Sequence, residues 1–273
     1  MARLSIITIN YNHVEGLRRT IDSVVTQTFK DYEWIVVDGG SIDGSRELLE
    51  QYKDHFAWWC SEPDKGVYNA MNKGLVHATG EYVNFMNSGD VFASETILSE
   101  IFSKTHTADI LYGIMTRGAL NGEVNNKLMM KPEIGKWDFY FSTFNHQATF
   151  TRLEMYNRYG FYDESYRAVA DWRHFAELVV IQGVSCEYIP QTVAIYEGGG
   201  ISEDRSIYPQ EIQRLRNEVF PTISRRDLVE LCYVDMCNSN RISAILYYLL
   251  TRGTKWILRK MHKRVVVYDE CII

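Results

Sequence analysis

The sequence predicts an α/β fold: a mostly parallel sheet flanked by helices, followed by a helical C-terminal extension. Three observations carry this. Over the first hundred residues apolar runs alternate with stretches of helical periodicity. After residue 114 the alternation loosens and aromatic residues thicken around 136–150. From about residue 206 the chain reads as helical and more polar, ending in a basic stretch.

In order, "LSIITI" (4–9), "EWIVV" (33–37), "FAWWC" (56–60) and "EYVNFM" (81–86) read as strands. Between the first two, Val14, Leu17, Ile21, Val24 and Val25 share one helical face. Leu48, Leu49 and Tyr52 mark a shorter helix, and Val67, Met71, Leu75 and Ala78 a third. Strand and helix alternating at this spacing imply a parallel sheet covered on both faces. Ser94 is the expected N-cap of a helix carrying Ile97, Leu98, Ile101 and Phe102. Asn121-Gly122 signals a hairpin. Gly160 is the expected end of a helix over 151–159, and a further helix is expected from about Asp171 to Gly183. "CEYIPQTVAIYEGGGIS" reads as a strand followed by a loop.

The chain of 273 residues, 46% hydrophobic with a net charge of -6, suits a globular protein with a full core and excludes a general nucleic-acid binder. Five cysteines form no zinc pattern and fit poorly with a disulfide framework. "LSIITI" is too short for a signal-peptide core, and "AILYYLL" (244–250) too short to span a bilayer. A cytoplasmic setting with reduced thiols is expected.

In an open parallel sheet, ligands bind beyond the carboxyl ends of the strands. Those ends read Ile9-Asn10-Tyr11, Asp38-Gly39-Gly40, Glu62-Pro63-Asp64 and "NSGD" ending in Asp90. Carboxylates gathered on one sheet edge repel one another unless a cation joins them, and a divalent metal bridging to phosphate would take oxygen ligands. In "VVDGGSIDGS" the glycines allow a ligand to approach bare backbone beside Asp38, although Asp-Gly pairs are also ordinary turn formers. The calcium-loop reading of "GGSIDGSRELLE" fails because its first position is Gly39 and a strand precedes it. No phosphate-binding GxxxxGK[ST] and no GxGxxG follows the first strand.

The blocks "SIITINYNH", "SVVTQTF", "EWIVVDGGSIDGS", "EPDKGVYNAMNKGLVHATGEYVNFMNSGD" and "HQATF" closely resemble the inverting family 2 glycosyltransferases with the GT-A fold. The likeness is strongest to bacterial members that build O-antigen or capsule repeat units. It covers residues 1 to about 200. It implies a nucleotide-sugar-binding half over 1–95, an acceptor-binding half of the same domain over 96–205, and an extension over 206–273 outside the resemblance.

The resemblance also implies roles. Thr8 and Asp38 would contact the base and ribose of a UDP-sugar, and Asp64 and Lys65 would sit near the nucleotide or sugar. Ser88, Gly89 and Asp90 match the Asp-x-Asp region, with Asp90 holding Mg2+ or Mn2+ on the diphosphate. Asn87 and Gly89 stand where the family has earlier acidic residues, and Met71 where many members carry Arg. Asp171, in "AVADWRHF", would be the base that takes the acceptor's proton; as an isolated residue it reads equally well as an N-cap. His146 and Trp172 are candidate acceptor contacts, His146 reading equally as a structural residue. The implied activity is hexose transfer from a UDP-sugar to a lipid-linked or oligosaccharide acceptor. A sugar nucleotidyltransferase would carry a basic, glycine-rich loop where this chain has "NYNHVEG", and a glycan-binding module would not need Asp90 and Asp171 together.

The tail adds one expectation. Arg252, Lys255, Arg259, Lys260, Lys263 and Arg264 lie in thirteen residues without an acid. They follow Ile242, Ile245, Leu246, Leu249 and Leu250 at helical spacing. An apolar stripe beside basic residues suits a helix in the membrane interface, so peripheral attachment to the inner face of the cell membrane is expected.

Overall fold

The computed structural model describes residues 2–118, the backbone of 124–128, residues 132–198 and 206–222, and Ser224, Asp227 and Leu231. The hairpin residues Asn121 and Gly122, most of "GGGIS" and the basic tail lie outside the described residues.

Strands β1 (Leu4–Asn10), β2 (Tyr32–Asp38), β3 (Trp58–Ser61) and β4 (Tyr82–Phe85) run parallel in the order β3-β2-β1-β4. Every residue of β1 is buried, as expected of a strand covered on both faces. Its side chains alternate between two cores. Leu4 and Ile6 join Trp34 and Val36 under α1 (Val14–Val25) and α2 (Ser45–Tyr52). Ile7 and Ile9 join Ile35 and Val37 under α3 (Val67–His77). Leu17, Ile21 and Val24 of α1 are fully buried, each contributing about 1.5–3 kcal/mol by leaving water.

Beyond β4 the sheet becomes mixed, continuing β8-β6-β9-β5 with β7 paired to β6. These strands are β5 (Val91–Phe92), β6 (Ile110–Gly118), β7 (Val124–Leu128), β8 (Thr149–Arg152) and β9 (Cys186–Tyr196). The parallel arrangement therefore holds for the first half and only for β6 with β9 in the second. β8 runs antiparallel to β4, so the segment before it is delivered to the carboxyl edge of β4. β9 runs parallel to β6, so the residue after it arrives at the same edge.

Helix α4 (Ile97–Phe102) takes Thr96, not Ser94, as its N-cap. The carbonyl of Ser94 instead accepts from Gln27 Nε2. The remaining helices are α5 (Asp138–Phe141), α6 (Leu153–Tyr159), α7 (Ala170–Ala176) and α8 (Tyr208–Val219). α6 ends at Gly160 with φ 97°, as the sequence indicates. α7 continues into a π-helical turn, Glu177–Ile181, before Gly183. No helix among the described residues is long and apolar enough to cross a membrane.

Candidate active site

The carboxyl edge collects most of the polar residues singled out from the sequence. Asp38 is fully buried there. Its carboxylate accepts from Asn10 Nδ2 (2.7 Å), Ser41 Oγ (2.5 Å) and Ser61 Oγ (2.6 Å), and from the Ser41 amide (3.0 Å). Asp38 thus organises the turn that follows β2, and a ribose hydroxyl would have to exchange with one of these donors. Asn10 also receives Ser88 Oγ (2.6 Å), tying the first strand end to the fourth. Asp64 accepts from the Gly66 amide, and its other oxygen lies 2.5 Å from where a Cβ on Gly39 would stand. This close approach explains one glycine of "DGG". Lys65 is exposed.

Two expected residues are not presented at the edge. Thr8 is fully buried and its hydroxyl accepts from Trp34 Nε1 at 3.0 Å. It sits mid-strand on the face that packs under α1, so its side chain belongs to the core. Trp172 is also buried, its indole N–H donating to the carbonyl of Phe139 at 2.8 Å. Met71 is buried among Ile7, Ile35 and Leu75, an apolar side chain in an apolar place.

Asp90 follows β4 and is 4% exposed. It accepts from Gln147 Nε2 (3.0 Å) and from the Glu197 amide (3.2 Å). Burial lifts its pKa to about 6, with the Glu197 charge adding to the rise against the Gln147 bond and the nearby His146. Glu197 follows β9 and was not indicated by the sequence as a site residue. One of its oxygens takes Arg19; the other, Oε2, is buried without a hydrogen bond, 3.5 Å from His13 Nε2. That oxygen lies 2.0 Å from where a Cβ on Gly89 would be, and Gly89 has φ 99°, so only glycine fits.

A divalent cation passes the test of fit at this corner. An orphaned carboxylate oxygen faces the glycine beside a carboxylate held half-protonated near pH 6, and hard cations take oxygen ligands. Asp90 and Glu197 are the residues that would hold it. No cluster of three or more acidic, His or Cys ligands occurs among the described residues, so phosphate and water would complete the shell.

Asp171 is the second residue of α7, not its N-cap, which is Val169. Its side chain is 16% exposed. It accepts from Tyr68 OH (2.9 Å) and the Trp172 amide (2.9 Å) on one oxygen, and pairs with His146 Nδ1 (3.0 Å) on the other. Burial alone would raise its pKa, but the His146 bond and charge and the Tyr68 bond outweigh it and hold the carboxyl below its ordinary value. Asn87 Nδ2 meets His146 Nε2 at 3.1 Å, so both ring nitrogens of His146 are engaged.

One turn joins the two corners. His146 and Gln147 belong to the 3-10 turn His146–Ala148 that precedes β8. His146 reaches Asp171 while Gln147 reaches Asp90. Asn84 of β4 fixes the turn by donating to the carbonyls of Gln147 (3.0 Å) and Thr149 (2.9 Å). The block "HQATF" marked this segment in the sequence, but neither the Gln147–Asp90 bond nor Tyr68 had a sequence signal.

An α/β sheet with this acidic carboxyl edge has the GT-A architecture. Residues 5–165 match the family described as glycosyl transferase family 2, and the chain belongs to that family of glycosyltransferases. An uncharacterised glycosyltransferase of Mycobacterium tuberculosis is 31% identical over 204 residues, covering 68% of this chain and 74% of that protein. A PGL/p-HBAD biosynthesis glycosyltransferase of the same species is 27% identical over 205 residues, covering 72% and 78%. Among solved structures, TarS residues 1–349 from S. aureus in complex with UDP shares the fold at TM-score 0.64 and 19% identity, covering 88% of this chain and 73% of that one. The mannosyltransferase PcManGT from Pyrobaculum calidifontis, in complex with GDP-Man and Mn2+, does so at TM-score 0.59 and 16% identity, covering 98% and 84%.

Proposed function

We propose that this glycosyltransferase is an inverting, metal-assisted enzyme that moves a hexose from a UDP-sugar to a lipid-diphosphate-linked glycan in surface polysaccharide or glycolipid synthesis. The observation that carries the reading is the His146–Gln147 turn, which holds Asp90 and Asp171 in one constellation. The names of the relatives support it: one acts in PGL/p-HBAD biosynthesis, and fold neighbours bind UDP or GDP-Man with Mn2+. Residues 1–95 would bind the donor and 96–205 the acceptor.

The residues have distinct tasks. Asp38 and Asn10 bind the ribose end, with the backbone of the Gly39 turn lying against the nucleotide. Asp64 and Lys65 approach the donor from the β3 end. Asp90 and Glu197 would supply carboxylate oxygens to Mg2+ or Mn2+, and the Lewis acidity of that ion would favour departure of the diphosphate. Asp171 takes the acceptor proton as the hydroxyl attacks the anomeric carbon, and inversion follows from this single displacement. His146 and Tyr68 orient Asp171 and keep it ionised. The basic tail would attach the enzyme to anionic lipid, each basic residue contributing about 1 kcal/mol.

UDP release from a panel of UDP-sugars, with a synthetic lipid-diphosphate sugar as acceptor, tests the activity. Turnover that persists fully in excess EDTA would remove the metal. Co-sedimentation with anionic liposomes, compared between the full chain and a truncation after about residue 240, tests the tail. Equal binding by both would remove it.

A further inference from the structure

Beside the carboxyl edge lies an open pocket of about 140 Å³, lined by Lys65, Gly66, Tyr68, Glu164, Tyr166 and Arg167 among others. Lys65 and Arg167 are exposed, and neither side chain has an ion pair or hydrogen bond among the described residues. That is unusual for this surface, where the neighbouring Arg173 and Arg214 are engaged by Glu177, Glu218 and Asp163.

The other walls add hydrogen-bond donors. α3 opens at Gly66 with no side-chain cap, so its first-turn amides carry no side-chain acceptor. Glu164 is the opposing charge on the pocket wall. Both its oxygens are taken, by the side-chain amides of Asn69 (3.0 Å) and Asn72 (3.0 Å). Two unpaired cations and the first-turn amides of α3 around one concavity suit an oxyanion with several acceptor atoms.

We propose that this pocket binds the diphosphate of a phosphorylated acceptor. The assignment rests on the glycosyltransferase reading above and deepens it. The donor diphosphate has its own corner at Gly89, Asp90 and Glu197, and of the residues given to the donor only Lys65 also lines the pocket. The ring that separates pocket from base is Tyr68, whose hydroxyl donates to Asp171. A diphosphate seated between Lys65 and Arg167 therefore leaves the sugar attached to it one aromatic ring from the residue that deprotonates it.

The test uses the full chain, UDP at saturation, no metal, and calorimetric titration with two probes, inorganic pyrophosphate and farnesyl diphosphate below its micelle concentration. Both are expected to bind the UDP-saturated protein. Arg167→Gln should weaken both at least tenfold and leave the UDP Kd within twofold, while Lys65→Gln should weaken both probes similarly. Binding of pyrophosphate alone makes the pocket a free-anion site and overturns the acceptor assignment. Displacement of UDP by either probe assigns the pocket to the donor and overturns it too. Affinity untouched by Arg167→Gln places the anion elsewhere, as on the basic tail, and equally overturns the assignment. If UDP itself does not bind, the donor reading fails on its own, and the Arg167→Gln comparison still decides whether the pocket holds a diphosphate ester.

Discussion

Asp90 and Asp171 are both largely buried carboxylates at one sheet edge, yet their pKa values move in opposite directions. Asp90 has two neutral donors and Glu197 as a like-charged neighbour, so the cost of burying its charge prevails. Asp171 has Tyr68, the Trp172 amide and His146 around it, and these offset the same cost. The difference separates two kinds of site. A carboxylate left short of positive charge suits the cation proposed for it, whereas one fully supplied with donors stays ionised by itself, as the proposed base must.

The largest effect should come from breaking the Asp171 side. Asp171→Asn is expected to lower turnover about 10²–10⁴-fold with the UDP-sugar dissociation constant nearly unchanged. Single-turnover kinetics beside equilibrium binding checks this; a parallel fall in both would deny Asp171 the role of base.

Breaking the Asp90 side should show the opposite pattern in the metal-free protein. A carboxyl raised from 3.8 to about 6 binds its proton more tightly folded than unfolded, so its ionisation costs stability progressively from about pH 4 to 6 and fully at pH 7. Asp90→Asn removes that charge and should stabilise the metal-free protein by up to about 3 kcal/mol at pH 7, at 1.36 kcal/mol per pK unit. The same variant should lose the rise in Tm that Mn2+ gives the parent. Denaturant melts with and without Mn2+ measure both.

His174 sharpens the comparison by reversing the charge type. It is buried against Tyr156 (4.8 Å, stacked), and burial pushes its pKa down to about 3. The unfolded chain takes up a proton near pH 6.5 that the folded one refuses until about pH 3. Its contribution is therefore intact above about pH 6.5 and falls by about 1.4 kcal/mol per pH unit below it. His174→Phe should flatten that slope in urea melts between about pH 6.5 and 4.

The smallest effect expected is that of His146→Ala. It removes the principal hydrogen bond and charge that depress Asp171, and one that lowers Asp90 as well. Both carboxyls should titrate at higher pH, moving the acidic limb of kcat upward. An unmoved limb would show that Tyr68 and the Trp172 amide suffice to keep Asp171 ionised.

Much of the parallel half was legible because β1 to β4 and α1 to α3 are local patterns. Leu17, Ile21 and Val24 point to one core at helical spacing, and Leu4 and Ile6 alternate with Ile7 and Ile9 at a strand's period of two. Ser94 misled because Ser is a good cap by type, while the start of α4 was decided by Thr96 and by Gln27 reaching in from α1's end. The structure buries the side chains of Thr8 and Trp172, which the blocks did not foretell, because neither block says which face of the element turns to the core.

What the sequence determined by itself was the alternation of strand and helix, the acidic strand ends and the family blocks, since each depends on residues within a few positions of one another. Tertiary structure decided which acids act together. Antiparallel β8 carries His146 and Gln147 back to the end of β4, and parallel β9 delivers Glu197 to the glycine of "NSGD". Gln147 is 57 residues from Asp90 and Glu197 107 residues from it. Contacts at that separation exist only once the strands have paired, and the opposite pKa shifts of Asp90 and Asp171 follow from those contacts rather than from the residue type.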